Sequence, residues 1–156
     1  MPELTLFDEL PPLQTKRIVN VASVPQRSPW RYPGGKTWLV PWIRQWLRSL
    51  DQPPRRLIEP FAGGGTVSLT AAFEKLAVDG ATMVELDADV AATWRTLLNG
   101  HAQWLADRIV NFDLSYESVD ALAAEQNPTE RDRGFLTLVR NRIAHGGILA
   151  PGSGKL

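Results

Sequence analysis

Arg56-Leu57-Ile58-Glu59-Pro60-Phe61-Ala62-Gly63-Gly64-Gly65-Thr66 decides the fold. The run Arg56 to Glu59 reads as a short strand that passes directly into a turn of three glycines. From Thr66 to about Leu76 the apolar residues Val67, Leu69, Ala71, Ala72, Phe73 and Leu76 predict a helix. Thr82-Met83-Val84-Glu85 reads as a second strand, and Ala88 to about Ile109 as one long helix. Strand, glycine turn, helix, strand, helix is a βαβ unit, so the expected class is α/β with a parallel sheet.

A glycine turn of this kind presents backbone N–H groups at the carboxyl edge of the sheet, where α/β proteins receive nucleotide-like ligands. Gly63, Gly64 and Gly65 carry no side chains where a ligand's own atoms would sit. Glu85, at the end of the second strand, is positioned to accept hydrogen bonds from ribose hydroxyls. A purely structural turn beside a surface acid is the alternative that the residues leave open.

Toward the N-terminus, a helix is expected from Gly35 to about Leu50. Trp38, Leu39, Trp42, Ile43, Trp46, Leu47 and Leu50 recur at three- and four-residue steps, which predicts that the three Trp lie on one buried stripe. Pro41 falls in its first turns and Pro53-Pro54 closes it. Residues 1–29, with Pro2, Pro11, Pro12, Pro25 and Pro29, read as an irregular arm in which Glu3-Leu4-Thr5-Leu6-Phe7 is a small hydrophobic anchor. Toward the C-terminus, helices are expected near 116–125 and 128–144. For the second, Asn127 is the expected cap, Pro128 the first position, and Glu130 the partner of a capping box.

Two stretches imitate a phosphate loop. Trp30 to Thr37 ends in Gly-Lys-Thr, but Trp30 occupies the place of the first glycine and no apolar strand precedes it. Gly154-Lys155-Leu156 fails at both Leu149 and Leu156. Neither is expected to cradle a triphosphate.

The 156 residues are 44% apolar and contain no Cys and two His, which removes disulfides and thiolate metal sites and makes a metal an unexpected cofactor. No apolar run reaches the ~20 residues of a membrane span. The opening residues lack the pattern of a signal peptide, and the cytoplasm is the expected location. The net charge of zero is unevenly spread: residues 1–58 balance to +5, 59–125 to −8 and 126–156 to +3. A polyanion would therefore be met by the two ends.

Arg31-Tyr32-Pro33-Gly34-Gly35-Lys36 followed by Glu59-Pro60-Phe61-Ala62-Gly63-Gly64-Gly65 resembles the opening of the Dam-like DNA adenine N6-methyltransferases. The resemblance continues through Glu85-Leu86-Asp87 and Asn141-Arg142-Ile143-Ala144-His145-Gly146-Gly147. It implies a Rossmann-like S-adenosylmethionine-dependent methyltransferase fold, incomplete here. Tyr32 and Lys36, with Gly34 and Gly35 between them, would contact S-adenosylmethionine. Pro60, Phe61, Gly63 and Gly64 would line it beside the first strand, Glu59 would lie at the foot of the pocket, and Glu85 would hold the ribose. Double-stranded DNA would be met by Arg131, Arg140 and Arg142, with no metal and no membrane involved.

One departure qualifies the resemblance. The family transfers methyl through an Asp-Pro-Pro-Tyr type motif, and neither Asp51-Gln52-Pro53-Pro54 nor Asn127-Pro128-Thr129 fits it. No catalytic residue is therefore expected among these residues. The expected organisation is an arm at 1–29, a cofactor-binding α/β part at 30–125 and the start of a target-recognition region at 126–156. A second polypeptide is the expected source of the missing motif, and whether these residues are half of a split enzyme, a truncated gene product or a fragment of a longer chain is left open. A non-catalytic nucleotide-binding or scaffold subunit is the alternative.

Overall fold

The computed structural model describes residues 21–149, so the Glu3–Phe7 stretch and the tail from 150 onward lie outside the described residues. A 3₁₀ turn at Lys36–Leu39 leads into α1 (Val40–Ser49). Then follow β1 (Leu57–Pro60), α2 (Thr66–Phe73), β2 (Ala81–Val84), α3 (Ala88–Leu98), α4 (Ala102–Val110), α5 (Tyr116–Ala123) and α6 (Glu130–Ile143). The strands pair in parallel, Leu57 opposite Ala81 and Pro60 opposite Val84, with α2 as the crossover. The chain is thus mixed α/β, with a two-stranded parallel sheet and six α-helices among the described residues.

Two apolar clusters hold it. Leu47 of α1, Leu57 of β1, Val67 and Ala71 of α2, and Leu76 and Ala77 form the smaller one beneath the sheet. The larger joins Trp30 to Val90 and Trp94 of α3, Leu105 of α4, Val119 and Leu122 of α5, and Phe135, Leu138 and Val139 of α6. Where α6 crosses α3 the helices touch closely, because a Cβ on Gly134 would stand 2.9 Å from the Ala92 carbonyl oxygen. Packing therefore runs without interruption across the 125/126 boundary drawn from the sequence.

Four local expectations are corrected. The Trp stripe is not core: Trp38 is 59% and Trp46 44% exposed, while Val40 and Leu47 are buried with Ile43 packed beside them. Val40, Ile43 and Leu47 share one narrow face of α1 at 100° per residue, and Trp46 falls beyond its edge. The long helix at 88–109 is two, broken at Asn99-Gly100-His101, where Gly100 takes φ 88°. The helix expected at 66–76 ends at Phe73 because Lys75 turns left-handed at φ 52°. Finally, α6 is capped by Thr129 and Asp132, not Asn127 and Glu130. Asn127 is itself left-handed at φ 57° and shapes the preceding turn, while Glu130 pairs with Arg95 at 2.7 Å.

Candidate functional site

The glycine turn leaves β1 at its carboxyl end and is fastened from three sides. The Ala62 N–H donates to the Val84 carbonyl at 2.9 Å, so the turn stays hinged to β2. The Trp94 indole N–H, buried in α3, donates to the Gly63 carbonyl at 2.8 Å. Lys36 Nζ donates to the Phe61 carbonyl at 2.6 Å and lies 3.1 Å from Glu59 Oε1. Glu59 Oε2 in turn accepts from the Ser68 N–H at 2.8 Å. Gly65, the residue before α2, has no side chain to cap the helix, so the buried Glu59 carboxylate supplies both the acceptor and the negative charge that a helix N-terminus favours.

This fastening holds Phe61 in an unusual state. Its φ is 54°, a left-handed backbone that costs a residue with a Cβ ~1–2 kcal/mol. Its ring is 79% exposed. A strained backbone that turns a large apolar ring into solvent is a combination that recurs at ligand sites, and no packing in the described residues accounts for it.

Tyr32 forms the facing wall. Its ring leans so closely on the turn that a Cβ on Gly63, where φ is 49°, would lie 2.8 Å from it, so only glycine fits. Burial pushes the Tyr32 phenol above its ordinary range, and the carboxylates of Glu85 and Asp87 push it further in the same direction. Tyr32 therefore remains a neutral donor and a neutral aromatic face at physiological pH.

Glu85 follows β2 directly. One oxygen accepts from the Gly63 N–H at 2.6 Å and the other from the Asp87 N–H at 3.0 Å. Asp87 caps α3, accepting from the N–H groups of Asp89 at 2.9 Å and Val90 at 3.2 Å. Two carboxylates and two aromatic rings thus surround one cavity of about 620 Å³, within the usual range for small-molecule sites.

Of the ten residues that the sequence assigns to cofactor contact, Tyr32, Gly34, Gly35, Lys36, Phe61, Gly63, Gly64 and Glu85 line this cavity. Glu59 and Pro60 do not; Glu59 stands behind the turn as the cap of α2. Ala62, Thr66, Leu86 and Asp87 complete the lining. The sequence reading missed Trp94, whose indole holds the turn from behind. Its four-residue spacing from Val90 signals only a buried helix face.

The three arginines assigned to DNA do not form one patch. Arg131 opens α6 with its guanidinium 4.8 Å from the centre of the Trp104 ring. Arg140 and Arg142 stand at the other end, about 16 Å further along the axis for Arg142 at 1.5 Å per residue. Arg142 donates to the Pro29 carbonyl at 2.7 Å, next to the Tyr32 wall. Among the described residues no group of three or more His, Cys, Asp or Glu is arranged to hold a metal. No described helix is long and apolar enough to cross a membrane.

These features define a mixed α/β protein with a concave site at the carboxyl ends of two parallel strands. Residues 32–121, more than half of the chain, match the D12 class N6 adenine-specific DNA methyltransferases, and the chain belongs to that family. No curated protein matches it.

Proposed function

We propose that the cavity receives S-adenosylmethionine and that the chain is the cofactor-binding part of a DNA adenine N6-methyltransferase with a Rossmann-like fold. The observation that carries this reading is the convergence of Tyr32, Phe61, Gly63 and Glu85 on one cavity at the strands' carboxyl ends. The donor set suits the ligand: Glu85 and Asp87 complement a ribose diol and a cationic sulfonium, while Tyr32 and Phe61 offer aromatic faces to a cation and a base. Gly34, Gly35 and Gly64 leave room for the ligand's backbone-like atoms. Lys36, Glu59 and Pro60 hold the turn that shapes the site.

When bound, the cofactor supplies an activated methyl group. The chain's own residues orient it and shield it from water, and positioning of this kind accounts for much of the rate in such transfers. The adenine amine would be held by an Asp-Pro-Pro-Tyr type motif, which none of these 156 residues forms. This reading requires the motif to come from outside these 156 residues, and a second polypeptide is the source we propose. The sheet face that the described residues leave uncovered supports it, because Ile58 and Val84 point away from α2 and are exposed. Arg142, whose contact with Pro29 sets it near the Tyr32 wall, would meet phosphates of double-stranded DNA, with Arg140 and Arg131 contributing elsewhere along α6. The cytoplasm is the setting this chemistry fits.

The missing motif also favours a second reading, a non-catalytic nucleotide-binding or scaffold subunit. Calorimetry with S-adenosylmethionine against ATP separates the two, the proposal requiring preference for the former. Tritiated methyl transfer to adenine-containing duplex DNA is then expected to be at background for the chain alone and to appear on adding the motif-bearing polypeptide. Sustained turnover by the chain alone would overturn the assignment of catalysis elsewhere.

A further inference from the structure

Asn141 is 0% exposed and lies near the end of α6, yet its amide serves neither that helix nor the core around it. Its Oδ1 accepts from the Arg31 N–H at 3.1 Å, and its Nδ2 donates to the Arg31 carbonyl at 3.0 Å and to the Gly147 carbonyl at 2.8 Å. A side-chain amide so paired reads both main-chain groups of one distant residue, as a neighbouring strand would. Gly147 presses on the same peptide: it has φ 73°, and any Cβ there would run into the Arg31 carbonyl oxygen.

Arg31 immediately precedes Tyr32, the wall of the cavity. The opposite wall, the glycine turn, hangs from α3 through Trp94 and the Gly63 carbonyl. The two helices are locked to each other where the buried Thr93 hydroxyl donates to the Gly134 carbonyl at 2.9 Å. Both walls are therefore referenced to one rigid helix pair, α3 holding the turn and α6 holding Tyr32.

We infer that Asn141 is a positioning residue for the cavity, fixing Tyr32 over the glycine turn through the Arg31 main chain and linking that placement to the Gly146-Gly147 turn after α6. Asn141 touches no cavity surface, so it acts only through Tyr32. In its ligand consequence this rests on the reading that the cavity takes S-adenosylmethionine. The placement of Tyr32 does not depend on that reading.

The test uses the full chain labelled with 3-fluorotyrosine, which has two tyrosines, in a Tyr116→Phe background that leaves the Tyr32 fluorine signal alone. Asn141→Ala is expected to shift or broaden that signal and to raise the Kd for S-adenosylmethionine about tenfold, which is ~1.4 kcal/mol. Gly147→Ala attacks the same joint from its other side and should move the same signal; Asn141→Asp, which keeps the acceptor and loses both donors, is read if Asn141→Ala does not fold. Val119→Ala truncates a buried residue of α5, which takes part in the contacts of neither wall. It should lower the melting temperature while leaving the Tyr32 signal and the Kd unchanged. A Tyr32 signal that stays put in the folded Asn141 variants overturns the inference, as does an equal response to Val119→Ala. If the signal moves but the unmodified chain binds no S-adenosylmethionine, the positioning role stands and the ligand reading fails.

Discussion

Phe135 and Ile58 are both large apolar residues in regular elements, yet the first is 0% exposed and the second 63%. Phe135 sits where α3, α4, α5 and α6 converge, with Phe112 edge-on at 5.2 Å and Trp104 edge-on at 6.4 Å. Ile58 sits on the face of a two-stranded sheet that has α2 on its other side. The helical layer is closed by apolar burial. The strand unit has a smaller apolar cluster and adds charge to it: Arg27 at 3.1 Å and Arg44 both reach Glu74, drawing the chain before Trp30 and α1 onto α2, while Lys36 and Glu59 secure the glycine turn. Polar fastening of this sort holds a geometry without enclosing it, which suits a site that must stay open to a ligand and a sheet whose second face is left uncovered by the described residues.

The largest effect is expected at Phe135, the best-buried point of the helical layer. Phe135→Ala should cost about 3–5 kcal/mol, the usual price of emptying a large core position. Urea unfolding followed by Trp fluorescence measures it. A loss under about 1 kcal/mol would mean that the helical layer is not the part that holds the chain together.

Glu85→Ala comes next, and it acts on the strand side. The substitution removes the acceptor for the Gly63 N–H along with the proposed ribose partner, so S-adenosylmethionine binding should weaken by about 1.5–3 kcal/mol. Calorimetry reads the affinity and circular dichroism checks that the fold survives. Unchanged affinity would move the ribose partner elsewhere, with Asp87 the nearest candidate on the cavity wall.

Acid should loosen the strand unit before the helical layer. Burial alone would raise the Glu74 carboxyl, but hydrogen bonds and charge from Arg44 and Arg27 outweigh it and hold the carboxyl below its ordinary range. A depressed folded value contributes stability that is fully present above the ordinary Glu range and lost as pH falls through the lowered folded value. Glu74→Gln should therefore lower the melting temperature at neutral pH, and the gap from the unmodified chain should close in that acid window. A gap that is constant with pH would show that the charge of Glu74 contributes nothing.

How far this division was legible in the residues follows from the range of each interaction. The glycine turn, both strands and the helix between them are written locally, in an apolar run, three glycines and a change of period, and their ends fall within a few residues of expectation. The position of Glu85 beside Gly63 follows from the same local pattern once the strands are parallel. The exposure of Trp38 and Trp46 was not legible, because periodicity marks an apolar stripe without fixing how much of its width the neighbouring layer covers. Asn141 lay further out of reach: it acts across 110 positions on main-chain groups, which carry no residue identity to read. The carboxylate of Glu59 was placed correctly beside the turn but assigned to the cavity, whereas the helix N-terminus behind it takes up the acceptor.

The smallest expected effect tests whether the bare face is bare. Ile58 pairs across the sheet with Thr82, and on the same face lie Pro60 and the exposed Val84. With no layer of described residues above it, Ile58→Asn removes little apolar contact and strands no buried polar group, so the chain alone should change in stability by no more than ~0.5 kcal/mol. The same substitution should matter once the proposed second polypeptide covers the sheet. A buried amide without partners costs ~1–3 kcal/mol, so association should weaken by roughly tenfold or more while the chain's own unfolding midpoint stays in place. Urea midpoints for the single chain and a binding titration with the partner supply the two halves of the measurement. A loss of ~2 kcal/mol or more in the single chain would place this variant among the core truncations. It would mean that Ile58 is already covered within the 156 residues, and the sheet would then need no partner to close it.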